Sequence, residues 1–172
     1  MTAPTLILCL GNEILSDDGL GAVVAHRLQE REFASDKIEV IFAARAGFAL
    51  LDLLQDRRRV LIIDSIQLRQ GVPGTLYRFP MGVFTPSRNL TTSHQISLPT
   101  ALELGRKVGL RMPDTIDVLA VEAEDVETLQ ESLTPAVAAA VEDVIAAAEQ
   151  WLVDEPEENT HAREHSGEAG SG

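Results

Sequence analysis

Apolar residues recur along this chain in two rhythms that alternate, and the alternation predicts the architecture before any single residue is weighed. The run beginning at Leu6 (LILCL) is continuously apolar and stops at Gly11-Asn12, which reads as a strand closed by a turn. After that turn Leu20, Val23, Val24 and Leu28 fall at i, i+3, i+4 and i+8, the one-sided spacing of a helix, which ends in the polar Gln29-Glu30-Arg31-Glu32. Lys37–Phe42 (KIEVIF) alternates as a second strand, and Phe48–Leu54 is a short apolar helix. The run Arg57-Arg58-Arg59 reads as a solvated loop. It leads into Val60–Asp64 (VLIID), whose lack of polar alternation predicts a central strand covered on both faces.

A turn at Gly71–Gly74 precedes a short edge strand over Thr75–Phe79, and Pro80–Ser93 has no period and reads as a long loop. Ser97-Leu98-Pro99-Thr100 has the signature of a helix start, with Leu98, Ala101, Leu102 and Val108 as its apolar face. Thr115–Val121 reads as a strand. Thr134 is placed to cap a last helix with Pro135 in its first position, and Val137, Val141, Val144, Ile145, Ala148 and Leu152 give that helix a long apolar stripe. Residues 154–172 turn acidic and rich in Gly and Ser, without the apolar content to fold. Strands and helices alternating in order predict an α/β three-layer sandwich: a mostly parallel twisted sheet of about five strands, helices on both faces, one domain over residues 1–153 and a disordered tail over 154–172.

Composition narrows the partners. A net charge of −13 and a pI near 4.6 set the mean field against nucleic acid and anionic membrane surfaces and suit metal cations or a basic partner. Cys9, the one cysteine, lies mid-strand as a small buried hydrophobe, which fits a reducing compartment. The opening MTAPTLILCL has no basic stretch and too short an apolar run for a signal peptide, and no segment approaches the roughly 20 apolar residues of a membrane span. The expectation is a cytoplasmic protein that is not exported.

The candidate chemistry lies at the ends of the predicted strands. In GNEILSDDGLG the strand-to-helix turn is filled with acids where a nucleotide-binding turn would be glycine-rich and acid-free, because phosphate must sit against bare amides. Carboxylates at a helix N-terminus stay ionised and are hard oxygen ligands, so the loop suits a cation, although one Asp there ordinarily serves as a helix cap. Asp64 ends a buried strand, a costly place for an acid unless it is paired or metal-bound, and His94 lies in a polar stretch just before a helix. In a parallel sheet all three arrive beyond the carboxyl ends of the strands, where ligands gather, and Asp17 or Asp18, Asp64 and His94 make a mixed oxygen and nitrogen set with open positions. No G-x-S-x-G elbow, G-x-x-x-x-G-K-[ST] loop, G-x-G-x-x-G turn or paired C-x-x-C is present. A Ser93/His94 nucleophile pair is formally possible, but sequence neighbours rarely have the mutual geometry of a nucleophile and base, and His26, His161 and His165 read as surface or tail residues.

GNEILSDDGLG after the first strand, LIIDSI at the third, SHQISL before a helix and SLTPAV at the last helix together resemble the hydrogenase maturation proteases, over roughly Thr5 to Leu152. The resemblance implies an endopeptidase that trims the C-terminal extension from the large-subunit precursor of a nickel–iron hydrogenase. It implies that nickel, carried by the substrate and not by the enzyme, is recognised by Asp18, Asp64 and His94, which form both the metal and the catalytic set. Asp17 is then a helix cap or a supporting partner. One departure is Ala43-Ala44-Arg45-Ala46-Gly47, where many relatives carry an acid after the second strand and this chain carries a cation. Two other readings use the same residues: a metal-binding accessory protein without proteolytic activity, and a small-molecule metal-dependent hydrolase on a similar sheet.

Overall fold

A computed structural model describes residues 3–31, 37–44, 47–81 and 93–154, with the side chains of 47, 48 and 93–97 outside that description. The elements run β1 (Thr5–Leu10), α1 (Leu20–Gln29), β2 (Ile38–Ala43), α2 (Leu51–Leu54), β3 (Arg59–Ile66), β4 (Leu76–Pro80), α3 (Ser93–Lys107), β5 (Thr115–Glu122) and α4 (Pro135–Val153), with single 3-10 turns at Ser16–Gly19 and Gly47–Leu50. They form one sheet in the order β2-β1-β3-β5-β4.

β1, β2, β3 and β5 are mutually parallel, with helical segments crossing over between β1 and β2 and between β2 and β3; β4, entered from β3 without a helix, is antiparallel, and α3 leads from it into β5. Every residue of β3 is buried, as its uninterrupted apolar run requires of a strand between two helical layers. Its alternate positions divide the core. Leu61 and Ile63 join Ile7, Cys9, Leu119 and Val121 under α1 and α4, while Val60, Ile62 and Ile66 join Leu6, Leu8 and Val118 under Leu54, Leu98 and Leu102 of α2 and α3. This is the expected three-layer α/β sandwich.

Three sequence expectations are corrected. Of the run 57–59 only Arg58 is exposed: Arg57 and Arg59 are 7% and 9% accessible. Arg57 donates to the carbonyls of Ala3 (2.8 Å) and Leu53 (3.0 Å) and pairs with Glu39 (2.6 Å). Arg59 lies 3.8 Å over the Trp151 ring and donates to the Trp151 carbonyl, while the indole N–H donates to Asp117 (2.7 Å). These guanidinium groups are buried because each finds acceptors at the end of another element, which hydrophobic periodicity does not reveal. Second, α3 begins at Ser93, a turn before Ser97, so Pro99 lies inside the helix and His94 in its first turn. Third, the apolar face of α3 ends before Val108, which lies past the helix and is 63% exposed. The stripe of α4 is as expected up to Ala148, and Trp151, fully buried, closes it beside the half-buried Leu152.

The burial of Arg59 can be tested against its exposed neighbour. Replacing Arg59 with Ala removes a desolvated ring contact and a charged hydrogen bond and is expected to cost about 2 kcal/mol, whereas Arg58→Ala should stay within about 0.5 kcal/mol. Urea unfolding followed by circular dichroism separates the two, and equal small losses would contradict the buried assignment.

Candidate active site

The turn after β1 is shaped by a close approach that only glycine allows. Gly11 has φ of 145°, and a Cβ on it would stand 2.0 Å from the carbonyl oxygen of Asp18, which accepts the N–H of Asn12 (3.0 Å). The chain therefore folds back on itself and delivers Ser16–Gly19 as a tight turn directly before α1. Gly21 continues the fit, because a Cβ there would lie 2.1 Å from the Leu10 carbonyl, so α1 can sit down on β1.

Asp17, in the middle of that turn, is fully buried and caps no helix of its own. Its Oδ1 accepts the N–H of Thr134 (2.7 Å), and its Oδ2 accepts the N–H groups of Glu124 (2.9 Å) and Asp125 (3.0 Å) and the Thr134 hydroxyl (3.0 Å). Of its two expected roles, Asp17 therefore does not fill that of a cap on α1. Thr134 does occupy the N-cap position of α4, but its hydroxyl is spent on Asp17 and not on its own helix. Main-chain bonds from Ser16 N–H to the Gln130 carbonyl (2.7 Å) and from Gln130 N–H to the Ile14 carbonyl (3.0 Å) complete the join between the β1–α1 and β5–α4 connections.

Asp18 points elsewhere. It is 8% exposed, and its Oδ1 accepts the hydroxyl of Ser65 (3.1 Å), while the main-chain N–H of the same Ser65 donates to Oδ1 of Asp64 (2.8 Å). Asp64 is fully buried at the end of β3. Two carboxylates from separate elements are therefore brought to the carboxyl edge of the sheet and linked through one serine. The position of His94 in the first turn of α3 puts it on the helix that covers the Asp64 face of the sheet; its side chain lies outside the described residues, as do Arg45, His161 and His165. Among the described residues no three His, Cys, Asp or Glu side chains converge as a metal site. The Cys9 thiol is pushed well above its ordinary range by burial and then by the charge of Asp64, so it stays protonated, in keeping with a buried hydrophobe.

Two residues of this edge escaped the sequence reading. Ser65 gives no sequence signal beyond following a strand-ending acid. Glu122 does give one: it ends the apolar strand TIDVLAVE as Asp64 nearly ends its own, one residue beyond the expected Thr115–Val121. Glu122 is buried, its Oε1 accepts the Leu68 N–H (2.7 Å), and its Oε2 has no partner among the described residues. Burial raises its pKa, partly offset by the Leu68 bond. A Cβ on Gly71 would stand 1.9 Å from its carboxyl carbon, so the β3–β4 connection closes over it.

Two outcomes follow from these bonds. Asp17→Asn replaces an acceptor by a donor that must face buried N–H groups, and is expected to destabilise by about 2–3 kcal/mol in urea unfolding; a loss under about 0.5 kcal/mol would show the join to be dispensable. For Glu122 the folded state holds its proton more tightly than the unfolded chain. The stability this gives is complete below the ordinary value of 4.5 and is lost as pH rises through the elevated folded value. Glu122→Gln keeps the Leu68 acceptor without the titration, so its urea midpoint should gain on wild type as pH is raised from 4 to 8; a constant difference would contradict the assignment.

Comparison with known proteins agrees with this architecture. The family model described as hydrogenase maturation protease matches residues 22–151. The Hydrogenase 2 maturation protease of Escherichia coli K12 is 30% identical over 142 residues, covering 80% of this chain and 83% of its own. Among solved structures, the hydrogenase maturating endopeptidase HybD from E. coli superposes with a TM-score of 0.76 at 27% identity, over 87% of this chain and 91% of that one. The [NiFe] hydrogenase maturation protease HybD from Thermococcus kodakarensis shares the fold with a TM-score of 0.66 at 23% identity, over 86% and 97% of the two chains. With the family model spanning most of the chain and the E. coli relative similar over four-fifths of it, this chain belongs to the hydrogenase maturation protease family and is an endopeptidase.

Proposed function

We propose that this endopeptidase removes the C-terminal extension of the large-subunit precursor of a nickel–iron hydrogenase, and that it does so by recognising nickel already seated in that precursor. The observation that carries the reading is the linkage of Asp18 to Asp64 through Ser65 at the carboxyl edge of the sheet. Two acids bonded by one serine offer hard oxygen ligands to a metal ion, and His94, from the helix over the same edge, adds the nitrogen. The metal belongs to the substrate. Its coordination by Asp18, Asp64 and His94 brings the scissile peptide to the enzyme, a carboxylate takes a proton from water as the water oxygen attacks the carbonyl carbon, and that proton passes to the amine as the C–N bond breaks.

The family is one of endopeptidases, which removes the accessory protein and the small-molecule hydrolase as readings of the same residues. Among the described residues no helix is long and apolar enough to cross a membrane, and the reading places the enzyme in the cytoplasm with its precursor, with no role for nucleic acid or membrane. Residues 1–153 act as the peptidase domain in this reading, and the acidic tail from 154 onward is dispensable to it.

Substitution of the three residues tests the proposal. Asp18→Asn and Asp64→Asn preserve shape and remove charge, and His94→Ala removes the nitrogen; each is expected to stay folded by circular dichroism and to slow cleavage of the nickel-loaded precursor by at least about 100-fold. Wild-type cleavage by any one of them would remove that residue from the set.

A further inference from the structure

Ser65 belongs to the site for a reason that the alternation of β3 makes visible. Leu61 and Ile63 face the layer of α1 and α4, and Ile62 and Ile66 face the layer of α2 and α3. By the same alternation Ser65 stands on the first face and Asp64 on the second. Asp18, in the turn that opens α1, lies on the serine's side. Because the strand ends there, acids from its two sides reach the same carboxyl edge, and a single residue bonds both: its hydroxyl donates to Asp18 Oδ1 at 3.1 Å and its N–H to Asp64 Oδ1 at 2.8 Å.

The two bonds differ in what fixes them. The N–H to Asp64 is main chain and survives any substitution of residue 65 that leaves the strand intact. The hydroxyl to Asp18 is a property of serine alone, and Ser65 is 1% exposed, so solvent has little access to replace it. The terminal torsion of an aspartate is broad and roughly two-fold, so the plane of a carboxylate is set by its hydrogen bonds more than by its rotamer. A donor on a rigid strand holds one oxygen of Asp18 and with it the plane of the carboxylate.

We propose that Ser65 is a positioning residue of this endopeptidase, the side chain that orients the Asp18 carboxylate relative to Asp64 for recognition of the substrate's metal. The proposal rests on the reading of Asp18 as a ligand to substrate-borne nickel. The competing role for the same hydroxyl is a plain staple between the β1–α1 turn and β3, which would contribute to stability without serving the carboxylate.

A double-mutant cycle separates these roles. Single-turnover cleavage of the nickel-loaded precursor is measured for wild type, Ser65→Ala, Asp18→Asn and the double variant, with urea midpoints for all four. The expected result is a fall of about 10-fold in kcat/KM for Ser65→Ala, within the range typical of groups that orient metal ligands, and no further fall when it is added to Asp18→Asn. Wild-type kcat/KM in Ser65→Ala would overturn the proposal. So would an equal fall in both backgrounds, since a staple acts whether or not residue 18 is charged. If Asp18→Asn itself cleaves like wild type, the ligand reading fails and the positioning role with it, an outcome distinct from the loss of the serine effect alone.

Discussion

The carboxylate of Asp17 receives four hydrogen bonds from the far connection of the sheet while excluded from water, and the shape of the whole active edge depends on it. A buried charge without partners would be costly enough to unfold its surroundings; fully met, it becomes a rigid tie between two loops that share no helix or strand. The tie settles the position of its neighbour. With Asp17 turned toward the β5–α4 connection and Gly11 letting the chain pass within contact of the Asp18 carbonyl, Asp18 is delivered toward β3. Two adjacent aspartates thus divide the work, one building the loop and one presented at the edge.

Asp64 and Glu122 show how the same element type gives two kinds of acid. Both stand at the ends of apolar parallel strands, on the face under α3 by their register. Asp64 is drawn into a network that includes a second carboxylate, and Glu122 is closed off by the β3–β4 connection, where burial favours its neutral form. The sheet edge therefore combines the linked carboxylates of Asp18 and Asp64, the proposed ligands of the substrate's metal, with a neighbouring acid that strengthens the frame as long as it keeps its proton. The buried Arg59, stacked on Trp151, sits at the opposite end of β3 and ties α4 down there. The Arg59 tie and the proposed site thus lie at opposite ends of the same strand.

Most of the fold was legible because it rests on periodicity. The strand-to-helix alternation, the fully buried β3, the edge position of β4 and the stripe of α4 follow from spacing alone, and Gly11, the paired acids and Asp64 were visible as violations of that spacing. What escaped depends on partners far away in sequence. Arg57 and Arg59 read as surface because nothing local announces the carbonyls that receive them, and Asp17 read as a cap because its true donors lie more than a hundred residues on. Pro99 suggested a helix start because proline favours the first turn, yet the helix carries it in its interior. Ser65 was silent for the simplest reason: its importance lies in being between two acids that only the fold brings together.

In the proposed function the enzyme reads a metal held by its substrate. The most direct measurement is cleavage by the wild-type enzyme, stripped of metal by chelation, of the same large-subunit precursor prepared with and without nickel. The account predicts that the nickel-loaded precursor is cut and the metal-free one is left intact. Efficient cleavage of the metal-free precursor would contradict it and leave Asp18, Asp64 and His94 to act without the substrate's metal.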